Sequence, residues 1–164
     1  MTVLRTLSLL AATVSTGLGA GVFLLYAHTV MPGLGATDDR TFVVAFQSMD
    51  RAILNVWFIG GSFLGALVFG VVASALSMGR PELPWIAAAV VLWGIAVVIT
   101  FAVNVPLNEA LKAAGPPDAI TDAAAARAAF DEARWRVWNL VRAALTTVSF
   151  GLLAWALVVN GRAS

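Results

Sequence analysis

Residues 83–103 read LPWIAAAVVLWGIAVVITFAV, and Asn104-Val-Pro-Leu-Asn108 follows at once. A helix needs about 20 apolar residues to cross the roughly 30 Å hydrocarbon layer of a bilayer, so this stretch is long enough to span it. Two carboxamides and a proline at the end of a span are costly in lipid unless they meet water, a partner or a ligand. The stretch therefore predicts a membrane helix with a candidate site at its end.

The composition of the chain predicts a membrane protein. Hydrophobic residues make up 60% of the sequence and charged residues 12%, whereas soluble domains carry about 25% charged residues. Four apolar segments are long enough to span a bilayer, at residues 4–26, 53–78, 83–103 and 140–159. Backbone groups in lipid must be satisfied within the segment, so all four are predicted to be helices. We predict one all-α integral membrane domain over residues 1–164, an antiparallel bundle in the inner or plasma membrane.

Two long connections, residues 27–52 and 104–138, lie on the same side of this bundle. Thr37 and the acidic residues after it are a good helix start, with Thr37 as the cap. Apolar residues then recur at helical spacing and predict a short amphipathic helix: Phe42, Ala45, Phe46 and Met49. In the second connection we predict a short helix at 108–114, then a helix from about Asp118 that runs straight into span 4. Two short accessory helices thus cap one membrane face.

The two connections resemble each other. Each begins with a proline just past a span and ends with an Ala-Phe pair, and an asparagine follows nine residues later: Pro32, Phe46 and Asn55 in the first, and Pro106, Phe130 and Asn139 in the second. The pattern is consistent with a two-fold internal repeat about an axis along the membrane normal.

Polar side chains gather at the membrane face that carries the long connections. They are Asn104, Asn108, Asn139, Arg142, Asn55, Gln47 and His28, with Trp135 and Trp138 among them. Individually, they can be read as helix caps and interfacial anchors. The opposite face holds only ordinary boundary residues, such as Arg80 and Glu82. This asymmetry favours a site at one mouth of the bundle.

Two of these side chains have distinct chemistry. Arg142 would be costly in lipid, so we expect it to face inward and to pair with a carboxylate or a bound anion. His28 is the one side chain expected to exchange a proton near neutral pH, which makes it a candidate base. Its alternative role is that of an interfacial histidine bonded to the backbone.

Other classes of site are limited by composition. The net charge of +1 argues against a nucleic-acid partner. With no cysteine and one histidine, the chain cannot form a disulfide, a thiolate or multi-histidine metal site or an iron–sulfur cluster, and we predict no metal. A haem with one axial ligand, or a metal site of mixed histidine and carboxylate ligands, stays open. Gly17, Gly19 and Gly21 are spaced like part of a phosphate loop, but within a membrane helix they favour close helix packing.

Several motifs together resemble the anthrone oxygenase-like membrane proteins. They are Gly17-Leu-Gly-Ala-Gly-Val-Phe23, Val30-Met-Pro-Gly-Leu34, Asp39-Arg-Thr-Phe42, Gln47, Arg51-Ala-Ile-Leu-Asn55, Asn104-Val-Pro-Leu-Asn108 and Trp135-x-x-Trp-Asn-x-x-Arg142. The resemblance covers nearly the whole chain. Asp50 stands where the family pattern has asparagine, and His28 lies outside the pattern.

The resemblance implies the oxidation of an anthrone to an anthraquinone by O2 without a cofactor. The partners it implies are a small hydrophobic aromatic molecule, O2 and the lipid bilayer. Asn104, Asn108 and Asn139 could supply donors to an enolate oxygen, an effect that is often worth several kcal/mol in a dry site. Arg142 could hold an anionic phenolate, with Trp135 or Trp138 stacked on the rings and Gln47 and Asn55 nearby. The base could be His28, Asp39, Glu109 or a bound water.

Two other functions fit the same residues. A membrane protein that binds or carries a small hydrophobic molecule would use the same amide-lined pocket without chemistry. A structural subunit of a membrane complex would use the small residues for helix packing. The sequence leaves open homo-oligomerisation and the orientation in the membrane, because the lysine and arginine counts conflict with Arg5 ahead of the first span.

Overall fold

The computed structural model describes residues 2–162 and is built from helices. Four helices are long and apolar enough to cross a membrane, which confirms the predicted four-span, all-α class: Val3–Gly35, Val56–Leu76, Leu83–Lys112 and Ala123–Arg162. We call them spans 1 to 4. In chain order the α-helices are α1 (Thr2–Leu25), α2 (Met31–Gly35), α3 (Asp39–Ile53), α4 (Gly65–Leu76), α5 (Leu83–Ile99), α6 (Val105–Lys112), α7 (Ala123–Phe130) and α8 (Glu132–Arg162), and α3 lies between spans 1 and 2.

Three π-helical segments interrupt spans 1, 2 and 3 near the same membrane face. They are π1 (Tyr26–Val30), π2 (Val56–Leu64) and π3 (Thr100–Asn104). Two of them end two residues before a proline, Pro32 or Pro106. A proline removes one backbone donor and crowds the preceding turn, and local π geometry in a membrane helix re-satisfies the freed groups. Accordingly, the residues just before these prolines donate their N–H five residues back, from Met31 to Tyr26 and from Val105 to Thr100.

Small residues let the spans approach closely in the lower half of the bundle. Here α1 packs on α4 and α8, and α5 packs on α4 and α8. A side chain at Gly17 would come within 2.8 Å of the Phe150 ring, and one at Gly19 would collide with the Trp93 indole. These two glycines therefore pack closely, as predicted. Gly21 does not, because open space surrounds it.

The accessory helices form a layer over the upper end of the bundle. The layer has its own buried apolar cluster, made of Met31, Phe42, Val43, Phe46, Leu111, Ile120, Ala126, Phe130 and Trp135. Arg127 ties the layer together, because it donates to the Gly35 and Thr37 carbonyls and forms ion pairs with Asp39 and Glu132. The layer is thus a packed roof rather than a pair of loose loops.

Two predicted details of these connections are wrong. The second accessory helix, α7, does not continue straight into α8, because Asp131 at φ 50° adopts a left-handed conformation between the two. The cap of α3 is Asp38 rather than Thr37. The Thr41 hydroxyl and N–H both donate to the Asp38 carboxylate, which lowers its pKa below the usual range.

The structure agrees with the predicted repeat at several points. π1 and π3 stand at the same distance from their prolines. The rings of Phe46 and Phe130, which the repeat relates to each other, meet with centroids 4.6 Å apart, as expected for residues close to a two-fold axis. The copies diverge at the asparagines, since Asn55 is exposed at the start of π2 and Asn139 is buried inside α8.

The opposite membrane face is not as plain as predicted. Glu82 is fully buried there and forms ion pairs with Arg5 and Arg80. The Arg5 Nε atom lies 3.3 Å from Glu82 Oε1 and also donates to the Asn160 side chain at 3.0 Å. This ionic clasp joins the first turn of span 1 to the last turn of span 4 and to the turn between spans 2 and 3. Its partners lie far apart in the chain, which is why its burial was not predicted.

Gly19 and Gly21 in span 1 give a matched test of the packing. We expect Gly19→Ala to lower the free energy of unfolding by about 1–3 kcal/mol, because overpacking forces the Trp93 indole and its neighbours to move. Gly21→Ala should be neutral or slightly stabilising, because alanine favours helix and nothing lies within reach of it. Thermal unfolding of both variants in detergent measures the difference, and equal effects would contradict this packing.

The ionic clasp predicts a large effect at one acidic residue and a small one at another. Glu82→Gln leaves the Arg5 guanidinium buried without a countercharge, which typically costs about 3–5 kcal/mol. Glu109→Gln is the control, because the Glu109 side chain is 62% exposed in its ion pair with Lys112 and such pairs are worth about 0–1 kcal/mol. Chemical unfolding in mixed micelles compares them, and a Glu82 variant as stable as the Glu109 variant would contradict the role of the clasp.

Candidate functional site

A cavity lies between the three π segments and the upper half of α8. Its volume is about 150 Å³, and its wall is largely apolar and aromatic. The wall includes Phe23, Tyr26, Asp50, Leu54, Phe58, Phe63, Thr100, Phe101, Asn104, Asn108, Trp135, Asn139 and Arg142. The cavity is therefore built by all four spans and by the end of α3. π-helical segments occur frequently at functional sites.

Arg142 places a positive charge in this wall without a countercharge. The side chain is 4% exposed, and its two terminal nitrogens donate to Thr100 Oγ1 and Asn139 Oδ1, each at 3.0 Å. The guanidinium carbon also lies 4.7 Å from the centre of the Phe23 ring. Arg142 forms no ion pair with any carboxylate in residues 2–162. The predicted inward orientation is therefore observed, and a protein carboxylate as its partner is not.

Two buried polar atoms of residues in the wall have neither a hydrogen-bond partner nor an ion-pair partner within the described chain. Asn104 donates its amide N–H to the Trp135 carbonyl at 3.3 Å, which leaves its Oδ1 acceptor unpartnered. Arg142 leaves its Nε–H donor unpartnered. Buried polar groups are normally satisfied, and the exceptions tend to mark places where a ligand or water binds. Two residues that line the cavity thus each keep one polar group that the described chain does not satisfy.

A second polar group lies at the upper edge of the cavity. Asn108 donates to Asp50 Oδ1 at 2.7 Å and accepts from the Trp135 indole N–H at 2.8 Å. The other Asp50 oxygen lies 2.9 Å from the Lys112 ammonium, which in turn lies 2.7 Å from Glu109. Asp50 is the one Asp or Glu side chain in the cavity wall. The wall therefore combines a carboxylate with a separate guanidinium.

Five of the nine predicted site residues line the cavity. They are Asn104, Asn108, Trp135, Asn139 and Arg142. The cavity brings them together because π3 and α6 present the Asn-Val-Pro-Leu-Asn motif toward the face of α8 that holds the other three. Asn139 also donates to the Phe23 carbonyl at 3.0 Å in span 1, so its amide positions Arg142 against the neighbouring helix.

The other four predicted residues lie outside the cavity wall. His28 is exposed on π1 and bonds to the neighbouring Thr29 hydroxyl, so it cannot contact a molecule in the cavity. Asn55 caps π2 by accepting from the Phe58 N–H. Gln47 is buried within the accessory layer, where it donates to the Leu111 and Gly115 carbonyls. Trp138 is half-buried elsewhere on α8. Of these four residues, Asn55 therefore has the helix-capping role that was the alternative to a role in the site.

Several residues of the wall were not predicted from the sequence. Asp50 was noted only as a departure from the family pattern, and the two carboxylates considered as bases lie elsewhere, with Asp39 paired to Arg127 and Glu109 exposed. Tyr26 and Thr100 had no signal of their own. Their equal distance from Pro32 and Pro106 could have identified them as the first residues of paired π segments. Within residues 2–162 no cluster of three His, Cys, Asp or Glu side chains is arranged to hold a metal ion.

Comparisons with known proteins identify the family of the chain. A family model described as anthrone oxygenase matches residues 54–152, which is more than half of the chain. No curated protein and no solved structure matches the chain. The matched region contains both asparagines of the Asn-Val-Pro-Leu-Asn motif, Trp135, Asn139 and Arg142, whereas Asp50 lies just before it. The chain therefore belongs to the anthrone oxygenase family.

Proposed function

We propose that this protein oxidises an anthrone-like hydroxylated aromatic to the corresponding quinone with O2. The observation that carries the proposal is the buried Arg142 guanidinium, which faces an apolar cavity and pairs with no carboxylate in the described chain. A charge of this kind in a membrane bundle is costly unless an anion joins it. An enolate or phenolate formed inside the cavity would be that anion.

The chemistry balances without a further reductant. A base removes a proton from the methylene carbon, and the electron pair spreads over the rings and the ketone oxygen as an enolate. The enolate transfers one electron to O2, and the two radicals couple to form a carbon–oxygen bond. The peroxide anion takes a proton, the second methylene proton is removed as the oxygen–oxygen bond breaks, and water leaves. One oxygen atom ends in the quinone and the other in water.

Each role falls to a residue of the cavity wall. Asp50 is the proposed base in this chain, at a position where the family pattern has asparagine, because it is the carboxylate in the wall and Asn108 and Lys112 hold it in place. Arg142 stabilises the enolate oxygen through its guanidinium, in the manner of an oxyanion hole. The Asn104 oxygen accepts from a hydroxyl next to that ketone. The Phe23, Phe58 and Trp135 rings contact the flat substrate.

The same cavity also supports a protein that binds a hydrophobic aromatic molecule without changing it. The unpartnered polar atoms favour both ligand-binding functions over a purely structural subunit, because packing alone gives those atoms no partner. Binding without turnover would favour the carrier, so one assay separates the two.

The decisive experiment uses emodin anthrone and the purified protein in nanodiscs. The two are mixed without oxygen, O2 is then added, and quinone formation is followed by absorbance. Empty nanodiscs are the control, because anthrones also oxidise spontaneously. We expect the protein to accelerate quinone formation and the isolated protein to show no haem absorbance. A rate equal to that of empty nanodiscs would contradict the oxygenase proposal.

The proposed base predicts a loss of activity at one carboxylate. Asp50→Asn should lower kcat by about 100-fold or more, because the amide cannot take the methylene proton. Glu109→Gln and His28→Ala are the controls, since neither side chain lines the cavity, and both should keep activity within about three-fold. A fully active Asp50→Asn variant would assign proton removal to another group.

Arg142 predicts that activity and stability move in opposite directions. Arg142→Gln removes the charge that stabilises the enolate, so kcat/KM should fall by about 100-fold or more. The same change removes an unneutralised charge from the bundle, so its Tm in nanodiscs should stay equal or rise. Arg127→Gln is the matched control: it breaks the ties of the accessory layer and should lower Tm. A fall in Tm for Arg142→Gln would mark Arg142 as structural instead.

A further inference from the structure

The wall of the cavity contains two residues that also face the outside of the bundle. Leu54 and Phe101 line the cavity, yet each is 63% exposed. Both lie near the upper ends of spans, where the surface that surrounds apolar side chains is lipid. Val56 and Trp57, close to Leu54 in the chain, are apolar and more exposed still, although the exposed and polar Asn55 separates them from Leu54. The cavity therefore opens sideways, at a rim formed by Leu54 and Phe101.

The spans on either side of this rim separate for a local reason. Spans 2 and 3 pack along α4 and α5, whereas π2 packs on α1. At its lower end π2 meets span 3, where the Trp93 indole N–H donates to the Phe63 carbonyl and the Phe63 ring meets the Phe101 ring. Above that contact, Asn55 is extended at φ −118° and ψ 166° and starts a new helix. The break between α3 and π2 leaves no helical turn at Leu54 to close the gap.

The size of the cavity sets how much of a ligand it can enclose. Its volume of about 150 Å³ equals that of an apolar cavity that holds a single benzene ring. A tricyclic molecule cannot fit inside as a whole. Asn104 and Arg142 line the cavity, so the oxygenated ring, which carries the ketone and the methylene carbon, lies against them and the remainder of the molecule must project out.

Lipid is a better surrounding than water for the part of the ligand that projects out of the cavity. The upper edge of the cavity is occupied by Asp50, Asn108 and Lys112 in a continuous polar network, under the packed accessory layer. An apolar group that left by this route would displace an ion pair. The rim at Leu54 and Phe101 is apolar and leads to lipid at no such cost.

From these observations we propose that the cavity loads its substrate sideways from the bilayer, between the upper ends of spans 2 and 3. The substrate class is a lipid-soluble hydroxyarene: its oxygenated ring enters the cavity, and its remaining rings or alkyl substituents stay in the membrane. This inference deepens the proposed function and rests on it for the reaction, but not for binding. It implies that large apolar substituents far from the oxygenated ring are tolerated.

The absence of cysteine from the chain allows a reversible block of the rim. Phe101→Cys and Leu54→Cys are each labelled with a bulky methanethiosulfonate reagent in nanodiscs, and the label is later removed with a reductant. Val98→Cys is the matched control, because Val98 is exposed on the same span but is not part of the cavity wall. Glu109→Cys, at the polar edge, tests access from water.

The probe is 1,8-dihydroxyanthraquinone, which is already oxidised, so binding is measured without turnover. Its association is followed under argon by quenching of tryptophan emission. We expect the label at either rim cysteine to slow association by about 10-fold or more, and the reductant to restore the rate. Labels at Val98→Cys and Glu109→Cys should leave the rate within about two-fold.

A second measurement tests where the rest of the ligand lies. A derivative with a long alkyl chain on the ring far from one hydroxyl should bind with the same Kd, expressed as mole fraction in the bilayer, to within about three-fold. Strong loss of affinity would mean that the chain has no way out and would overturn the proposal. So would slow association only in the Glu109→Cys variant, or no saturable binding to the unlabelled protein. Binding without turnover would contradict the oxygenase proposal and leave this one standing.

Discussion

The need to satisfy every backbone group within lipid shapes this bundle. Pro32 and Pro106 each remove a donor near the end of a span, and the chain compensates by shifting to hydrogen bonds that reach five residues back. The resulting π turns place Tyr26 and Thr100 at the start of wider coils, which face each other across the bundle. The cavity lies between them, so the same constraint that keeps the helices intact also creates the space for a ligand.

Buried charges neutralise one another at one end of the bundle but not at the other. At the lower end, Glu82 forms ion pairs with Arg5 and Arg80, so the buried charges neutralise one another. At the upper end, Arg142 is equally buried but bonds only to neutral groups, Thr100 and Asn139. The first arrangement holds the termini and a turn together. The second keeps a charge available, which is why we assign function to the upper end and structure to the lower.

The accessory layer connects the site to distant parts of the chain. Trp135 packs against Phe46 with ring centroids 5.5 Å apart, donates its indole N–H to Asn108, and accepts at its carbonyl from Asn104. One residue at the start of α8 therefore joins the roof of the cavity to both asparagines of the Asn-Val-Pro-Leu-Asn motif. The order of the roof and the order of the polar wall therefore depend on each other.

The sequence alone determined the class of fold, because the length and hydropathy of a segment decide whether it can span a bilayer, and both are local properties. It also predicted that polar residues gather at one membrane face, and five of the nine predicted residues line the cavity there. Only the tertiary structure decided which side chains share a cavity. His28 and Asp50 both lie near a span end, yet His28 is exposed on π1, while the packing of α3 on α6 places Asp50 beside Asn108. The burial of Glu82 was equally beyond the sequence, because its partner Arg5 lies in a different span and only packing brings the two together.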